Sequence, residues 1–175
     1  AARLLRGRPG GEPPWAGDRL ARVAELVRGL RPDVACLQEV DAAGQSALEH
    51  GLGEEFECAA AMRNEELPPK DGCAMFIRRG RFEVVKAHSW RLRDSLERHC
   101  PGAEAIKGQA SGLAAALWRE LHEKLSLAVA LRLRPRACAG AEVFVATSHL
   151  FWDPRYPDLK LLQAFLLARE VERLA

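Results

Sequence analysis

The spacing of apolar positions along this chain changes several times, and each change predicts an element. From Asp18 onward, Leu20, Val23, Ala24 and Val27 recur at helical spacing, with Arg19, Arg22, Glu25 and Arg28 on the other side. This predicts an amphipathic helix, ended by Gly29 and Pro32. The run VACLQEV over 34–40 reads as a buried strand. A short helix over 43–50, closed by Gly51 and Gly53, and a strand over 56–62 follow, then a polar loop over 63–71. Segments 73–77 and 81–85 flank Arg78-Arg79-Gly80, which reads as a β-hairpin with glycine in the turn. Two further strands are expected over 125–133 and 142–149, joined by a turn over 135–140. The last element is a helix over 158–174 with Leu159, Leu162, Phe165, Leu166 and Val171 on its apolar face. Charged helical patterns and Gly- and Ala-rich sequence alternate from 89 to 119, and 89–117 reads as a variable insertion. Strands outnumber helices, so the fold class is α/β, with a mixed or antiparallel sheet and helices packed outside it.

Composition narrows the class without naming a function. A chain of 175 residues is most simply one domain and can bury roughly 70% of its unfolded surface. A hydrophobic fraction of 48% argues against disorder. The formal charge of +2 leaves no basic body, so any nucleic-acid contact must come from a local cleft. Cys36, Cys58, Cys73, Cys100 and Cys138 are scattered, with no CxxC pair. Cys36 and Cys73 lie in apolar runs, where a thiol acts as a small hydrophobe, and the set points to a reducing compartment. No stretch approaches the roughly 20 apolar residues of a membrane span. The chain begins at Ala1 rather than Met and stops inside a helical pattern, so both ends are expected to be cut. Residues 1–14, with Arg3, Arg6, Arg8 and a Gly-Pro cluster, read as a linker or the end of a leader segment.

Two strand ends carry reactive types. Glu39 closes the first apolar strand, where it either opens a polar loop or places a carboxylate at a site of chemistry, as open α/β folds do. The segment FVATSHLFWDP over 144–154 ends in the same way. His149 there either transfers protons and donates to phosphoryl oxygens or satisfies loop carbonyls. Trp152 and Pro154 either offer flat faces to a base or serve as a core tryptophan and a turn proline. Asp71, before Gly72, is either a substrate contact at a cleft edge or part of an ordinary turn. His50, His88, His99 and His122 sit among charges and read as solvated surface. Ser-His-Asp chemistry is disfavoured, because adjacent strand residues such as Ser148 and His149 point to opposite faces.

Taken in order, RPDVACLQEV, KDGCAMFIRRGRFEVV and ATSHLFWDPRYPDLKLLQ resemble the endonuclease/exonuclease/phosphatase superfamily. Within it the chain is most similar to the carbon-catabolite-repression-type deadenylases, relatives of the nocturnin and Angel proteins. Trp15 and Arg19 resemble the family's lead-in, and the likeness covers about 15–174. It implies a four-layer α/β sandwich, of which residues 15–175 would form about half. It also implies Mg2+-dependent (or Mn2+-dependent) stepwise 3′-to-5′ hydrolysis of single-stranded RNA, preferentially poly(A), releasing AMP. Glu39 matches the family's metal-holding glutamate, His149 the histidine on the scissile phosphate and Pro154 the proline packed on the terminal base. The family's metal-site asparagine would precede Trp15, and its Gly-Asp-x-Asn and Ser-Asp-His blocks would follow Ala175. The chain is therefore expected to be a fragment, inactive by itself, of a hydrolase working in cytoplasm or nucleus. Organelle import and docking onto a multisubunit deadenylase complex are compatible with the sequence. A 2′,5′-phosphodiesterase or a nocturnin-like dinucleotide phosphatase of the same fold is the alternative, and a non-catalytic interaction module is another.

Overall fold

The computed structural model describes residues 16–63, 71–106, 112–123, 126–138 and 140–175. Residues 1–14, read as a linker, and Trp15 lie outside them. The elements in chain order are α1 (Ala16–Leu30), β1 (Val34–Val40), α2 (Ala42–Leu52), β2 (Phe56–Met62), β3 (Gly72–Arg78), β4 (Phe82–Arg91), α3 (Leu96–His99), α4 (Leu113–Glu123), β5 (Leu127–Pro135), β6 (Val143–Ser148) and α5 (Pro157–Leu174). Local chemistry sets several ends. Asp41 caps α2 by accepting from the Gly44 N–H at 2.7 Å, Gly53 at φ +61° closes it, and Pro157 starts α5, where its missing N–H costs nothing.

The strands form two three-stranded sheets, β1-β3-β2 and β4-β5-β6, and every pair described is antiparallel. The two sheets face each other across a core of Cys73, Met75 and Ile77 from β3 against Val129, Leu131 and Leu133 from β5. On the outside of the first sheet, Ala24, Val27, Leu48 and Leu52 of α1 and α2 cover Phe56, Ala74 and Phe76. Leu121, Leu159 and Leu166 of α4 and α5 cover Ala128 on the outside of the second. The result is helix, sheet, sheet, helix: the four-layer α/β sandwich the sequence led us to expect.

Two expectations are corrected. Segments 73–77 and 81–85 do not pair as a hairpin. β3 pairs with β1 and β2 while β4 pairs with β5, so the turn at Arg78–Arg81 carries the chain from one sheet to the other. The unbroken run CAMFI is the central strand, buried on both faces. Within 89–117, Ser89–Arg91 complete β4, and Leu92 and Leu96 are buried beneath α5. His99 is not surface: its side chain is 8% exposed and its Nε2 lies 2.6 Å from the carboxylate of buried Glu170. Cys36 is exposed whereas Cys73 is buried, and all five cysteines are free thiols.

Register places one end of both sheets together. Gln38, Cys73 and Ala61 form one rung of the first sheet, and Ser148, Ala128 and Trp90 form one of the second. One step nearer the rim come Val40, Gly72 and Met62 in the first sheet, and Leu127 opposite Arg91 in the second.

Candidate active site

Glu39 owes its position to a backbone irregularity. Between Gln38 and Val40 the pairing with β3 slips by one residue, and Glu39 is the extra residue, at φ +56°. A non-glycine residue in this left-handed region costs on the order of 1–2 kcal/mol and persists where its surroundings dictate it. The bulge turns the carboxylate out of the sheet, a common use of bulges beside sites of chemistry. Opposite it, Gly72 has no space for a side chain, since a Cβ there would lie 1.9 Å from the Ala61 carbonyl oxygen.

His149 follows β6 directly, and its Nε2 comes within 3.8 Å of Glu39 Oε1. The imidazole is 25% exposed and the carboxylate 69%. At 3.8 Å this is an ion-pair distance, too long for a hydrogen bond. His149 Nδ1 is buried and has no hydrogen-bond partner among the described residues. Just below, Gln38 Nε2 donates to Thr147 Oγ1 at 2.8 Å and ties β1 to β6 across the sandwich. A groove of about 500 Å3 between α1 and the end of β1 has Glu39, Arg19 and Val23 in its walls.

The segment after His149 is held from beneath. Phe151 N–H donates to Gln163 Oε1 at 2.8 Å, and Gln163 Nε2 donates to Ser126 Oγ at 2.7 Å. Gln163 is fully buried, so α5 clamps this loop to the start of β5. Asp153 is buried and accepts from the Arg155 N–H at 2.9 Å and from its guanidinium. The Arg155 hydrogen bonds hold the Asp153 carboxyl below the usual carboxylate range. Between these anchors Trp152 projects outward, 73% exposed, so it is not a core tryptophan, and Pro154 is exposed beside it.

Asp71 lies at the same rim. Its carboxylate takes Arg63 Nε at 3.0 Å and a second guanidinium nitrogen, and its carbonyl accepts the Arg63 N–H at 2.9 Å. Burial pushes the Cys73 thiol up, so it supplies no thiolate nucleophile. Glu39 and His149 are thus brought together, while Asp71 stands at the same end of the first sheet, paired to Arg63, and Trp152 and Pro154 lie on the loop after His149. Sequence reasoning passed over Gln38, Arg63, Thr147 and Gln163. Of these only Gln163 had a signal: a polar residue on the apolar face of α5, one turn after Leu159.

A carboxylate and an imidazole thus meet at one rim of a face-to-face α/β sandwich. Residues 8–170 match the Endonuclease/Exonuclease/phosphatase family, and the chain belongs to that family. It is 29% identical over 162 residues to a CCR4-Not complex 3′-5′-exoribonuclease subunit Ccr4 of Coccidioides immitis, covering 85% of this chain and 20% of that protein. It is 30% identical over 152 residues to a probable subunit of the same name in Encephalitozoon cuniculi, covering 82% and 28%. Among solved structures, ANGEL2, a 2′,3′-cyclic phosphatase, superposes with a TM-score of 0.62 at 23% identity, over 87% of this chain and 38% of that one. The human nocturnin catalytic domain gives 0.61 at 19% identity, over 90% and 51%. These structural likenesses speak to the fold. The chain spans between 20% and 32% of the length of the curated relatives named or matched most strongly.

Proposed function

We propose that the protein carrying this chain is a Mg2+-dependent 3′-to-5′ exoribonuclease that shortens poly(A), releasing AMP. The observation that carries this reading is the convergence of Glu39 and His149 at 3.8 Å, from strands of opposite sheets, in a chain of this family. Sequence relatives named as exoribonuclease subunits of the CCR4-Not complex favour RNA as substrate and a multisubunit assembly as the setting.

Glu39 suits a hard cation. Mg2+ takes oxygen ligands, commonly one or two carboxylates with water and substrate phosphate completing its shell. Among the described residues no group of three or more His, Cys, Asp or Glu is placed to hold a metal. Glu39 would contribute a carboxylate to that shell. When bound, the ion polarises phosphoryl oxygens and lowers the pKa of an attacking water. His149 donates through Nε2 to a non-bridging oxygen and offsets charge that develops there. Trp152 and Pro154 receive the terminal base on their exposed faces, and Asp71 acts at the cleft edge with the Arg63 it holds.

Incubating the full-length protein with 5′-labelled oligoadenylate tests this. The expected result is a ladder shortened one nucleotide at a time, requiring Mg2+, stopped by EDTA and absent from Glu39→Gln. Preferential hydrolysis of 2′,5′-linked oligomers or of a terminal cyclic phosphate would replace the reading, and no hydrolysis at all would sink it.

A further inference from the structure

At the rim where Glu39 and His149 meet, but on the opposite edge of the sandwich, lies a cleft of about 540 Å3 between β2 and β4. Its size is that of a small-molecule site, in the range of about 300–1,000 Å3. Its walls include Ala61 and Met62 of β2, Trp90 and Arg91 of β4, and Gln45 of α2. Arg91 is half-buried, and its side chain makes no hydrogen bond or ion pair among the described residues. Trp90, its neighbour on β4, turns to the other face and packs against the core beneath α4 and α5. Among the described residues Asp94 is the one carboxylate in the wall, and Arg93 Nε lies 3.6 Å from it, which leaves Arg91 without a charge partner among them. A half-buried guanidinium with spare donors is a receptor for an oxyanion, and arginine matches phosphate in both charge and geometry.

Register says where such a phosphate comes from. Arg91 pairs with Leu127, and the next residue of β5, Ala128, pairs with Ser148, the neighbour of His149. Two strand spacings, about 10 Å, therefore separate the His149 end of the rim from Arg91. Cys73, whose Sγ lies 3.9 Å from the Leu127 carbonyl oxygen, and the Arg63–Asp71 pair occupy the ground between. A single strand leaving the cleavage point along this rim crosses Arg63 and arrives at Arg91.

We propose that Arg91 forms an upstream subsite that grips a backbone phosphate of the RNA a few nucleotides from the bond being cut. The inference rests on the exoribonuclease reading and adds to it the direction of the strand, from β1/β6 towards β2/β4. The subsite acts on long substrates and is out of reach of the shortest ones.

The test compares Arg91→Met with the unmodified full-length protein on a diadenylate and on a long oligoadenylate. Methionine keeps an unbranched apolar stem and deletes the charge. The expected result is that the long substrate's kcat/KM advantage over the diadenylate falls about tenfold, through KM, as loss of one charge-assisted hydrogen bond implies. The salt dependence of log KM for the long substrate should also become shallower by about 0.7. Equal effects on both substrates, or none on either, would overturn the subsite while leaving the exoribonuclease reading intact. If the unmodified protein cleaves neither substrate, the functional reading fails first and the subsite with it. A folded Arg91→Met protein is verified by its circular dichroism and melting temperature. If it does not fold, Arg91→Lys, which keeps a point charge but not the fork, should show a smaller loss in the same ratio, and an unchanged ratio refutes the proposal.

Discussion

Glu170→Gln is the perturbation whose size the structure allows to be worked most directly. Glu170 is 3% exposed in the outer layer of the second sheet. Its carboxylate accepts from Arg98 at 2.8 and 2.9 Å and from Arg173 at 2.6 Å, and it lies 2.6 Å from His99 Nε2. Burial pushes its pKa up, but the hydrogen bonds from Arg173, His99 and Arg98 outweigh that and bring it from 4.5 to about 2. A carboxyl whose folded pKa lies below its unfolded one stabilises the fold above the unfolded value. That stability drains away as pH falls from about 4.5 towards about 2. A depression of about 2.5 units at about 1.4 kcal/mol per unit corresponds to about 3 kcal/mol near neutral pH. This is the low end of the roughly 3–5 kcal/mol for breaking a buried ion pair from one side. The amide keeps the shape and one acceptor but removes the charge that three partners share. Urea unfolding at pH 7 should therefore place Glu170→Gln about 3 kcal/mol below the unmodified protein. At pH 3 the gap should shrink to about half, because the unmodified protein has by then lost part of the same contribution. A gap below about 1 kcal/mol at pH 7, or one of equal width at both pH values, would refute the account of this cluster.

Gly72→Ala should destabilise the protein by more than about 2 kcal/mol, read as a fall in melting temperature, because the new methyl meets backbone rather than a yielding side chain. Gln163→Leu leaves the Phe151 N–H and the Ser126 hydroxyl without their partner, which should cost about 2–4 kcal/mol in urea unfolding. In the full-length protein the same change should lower kcat more than it raises KM, since it loosens the loop that begins at His149. An unchanged kcat would show that the clamp has no part in positioning. Trp152→Ala, at a 73% exposed position, should alter stability by no more than about 0.5 kcal/mol. It should still raise KM for oligoadenylate about tenfold by loss of base stacking, and an unchanged KM would remove Trp152 from the substrate site.

Local pattern was enough for α1, β1, β2 and α5, because a period of 3.6 or 2 along a short stretch states which side faces a core. It was enough also to single out Glu39 and His149, each a polar residue directly at the end of an apolar run. The period says nothing, however, about which strand lies across the way. Two strands joined by Arg78-Arg79-Gly80 look alike whether the turn folds them into one sheet or carries the chain between two. Only the burial of β3 on both faces decided for two. His99 was misplaced for the same reason: its neighbours in sequence are charged, whereas the carboxylate that buries it stands 71 residues away.

The amino-acid sequence by itself determined the elements, the class of fold and the two residues on which the proposed chemistry rests. Tertiary structure alone decided that Glu39 and His149, from different sheets, meet within 3.8 Å. It decided as well that a one-residue slip in β1 aims the carboxylate outward, and that Arg91 faces an open cleft on the same rim. The physical reason is that periodicity is a local property of the chain, whereas register and sheet-to-sheet packing are set by contacts between residues far apart in sequence.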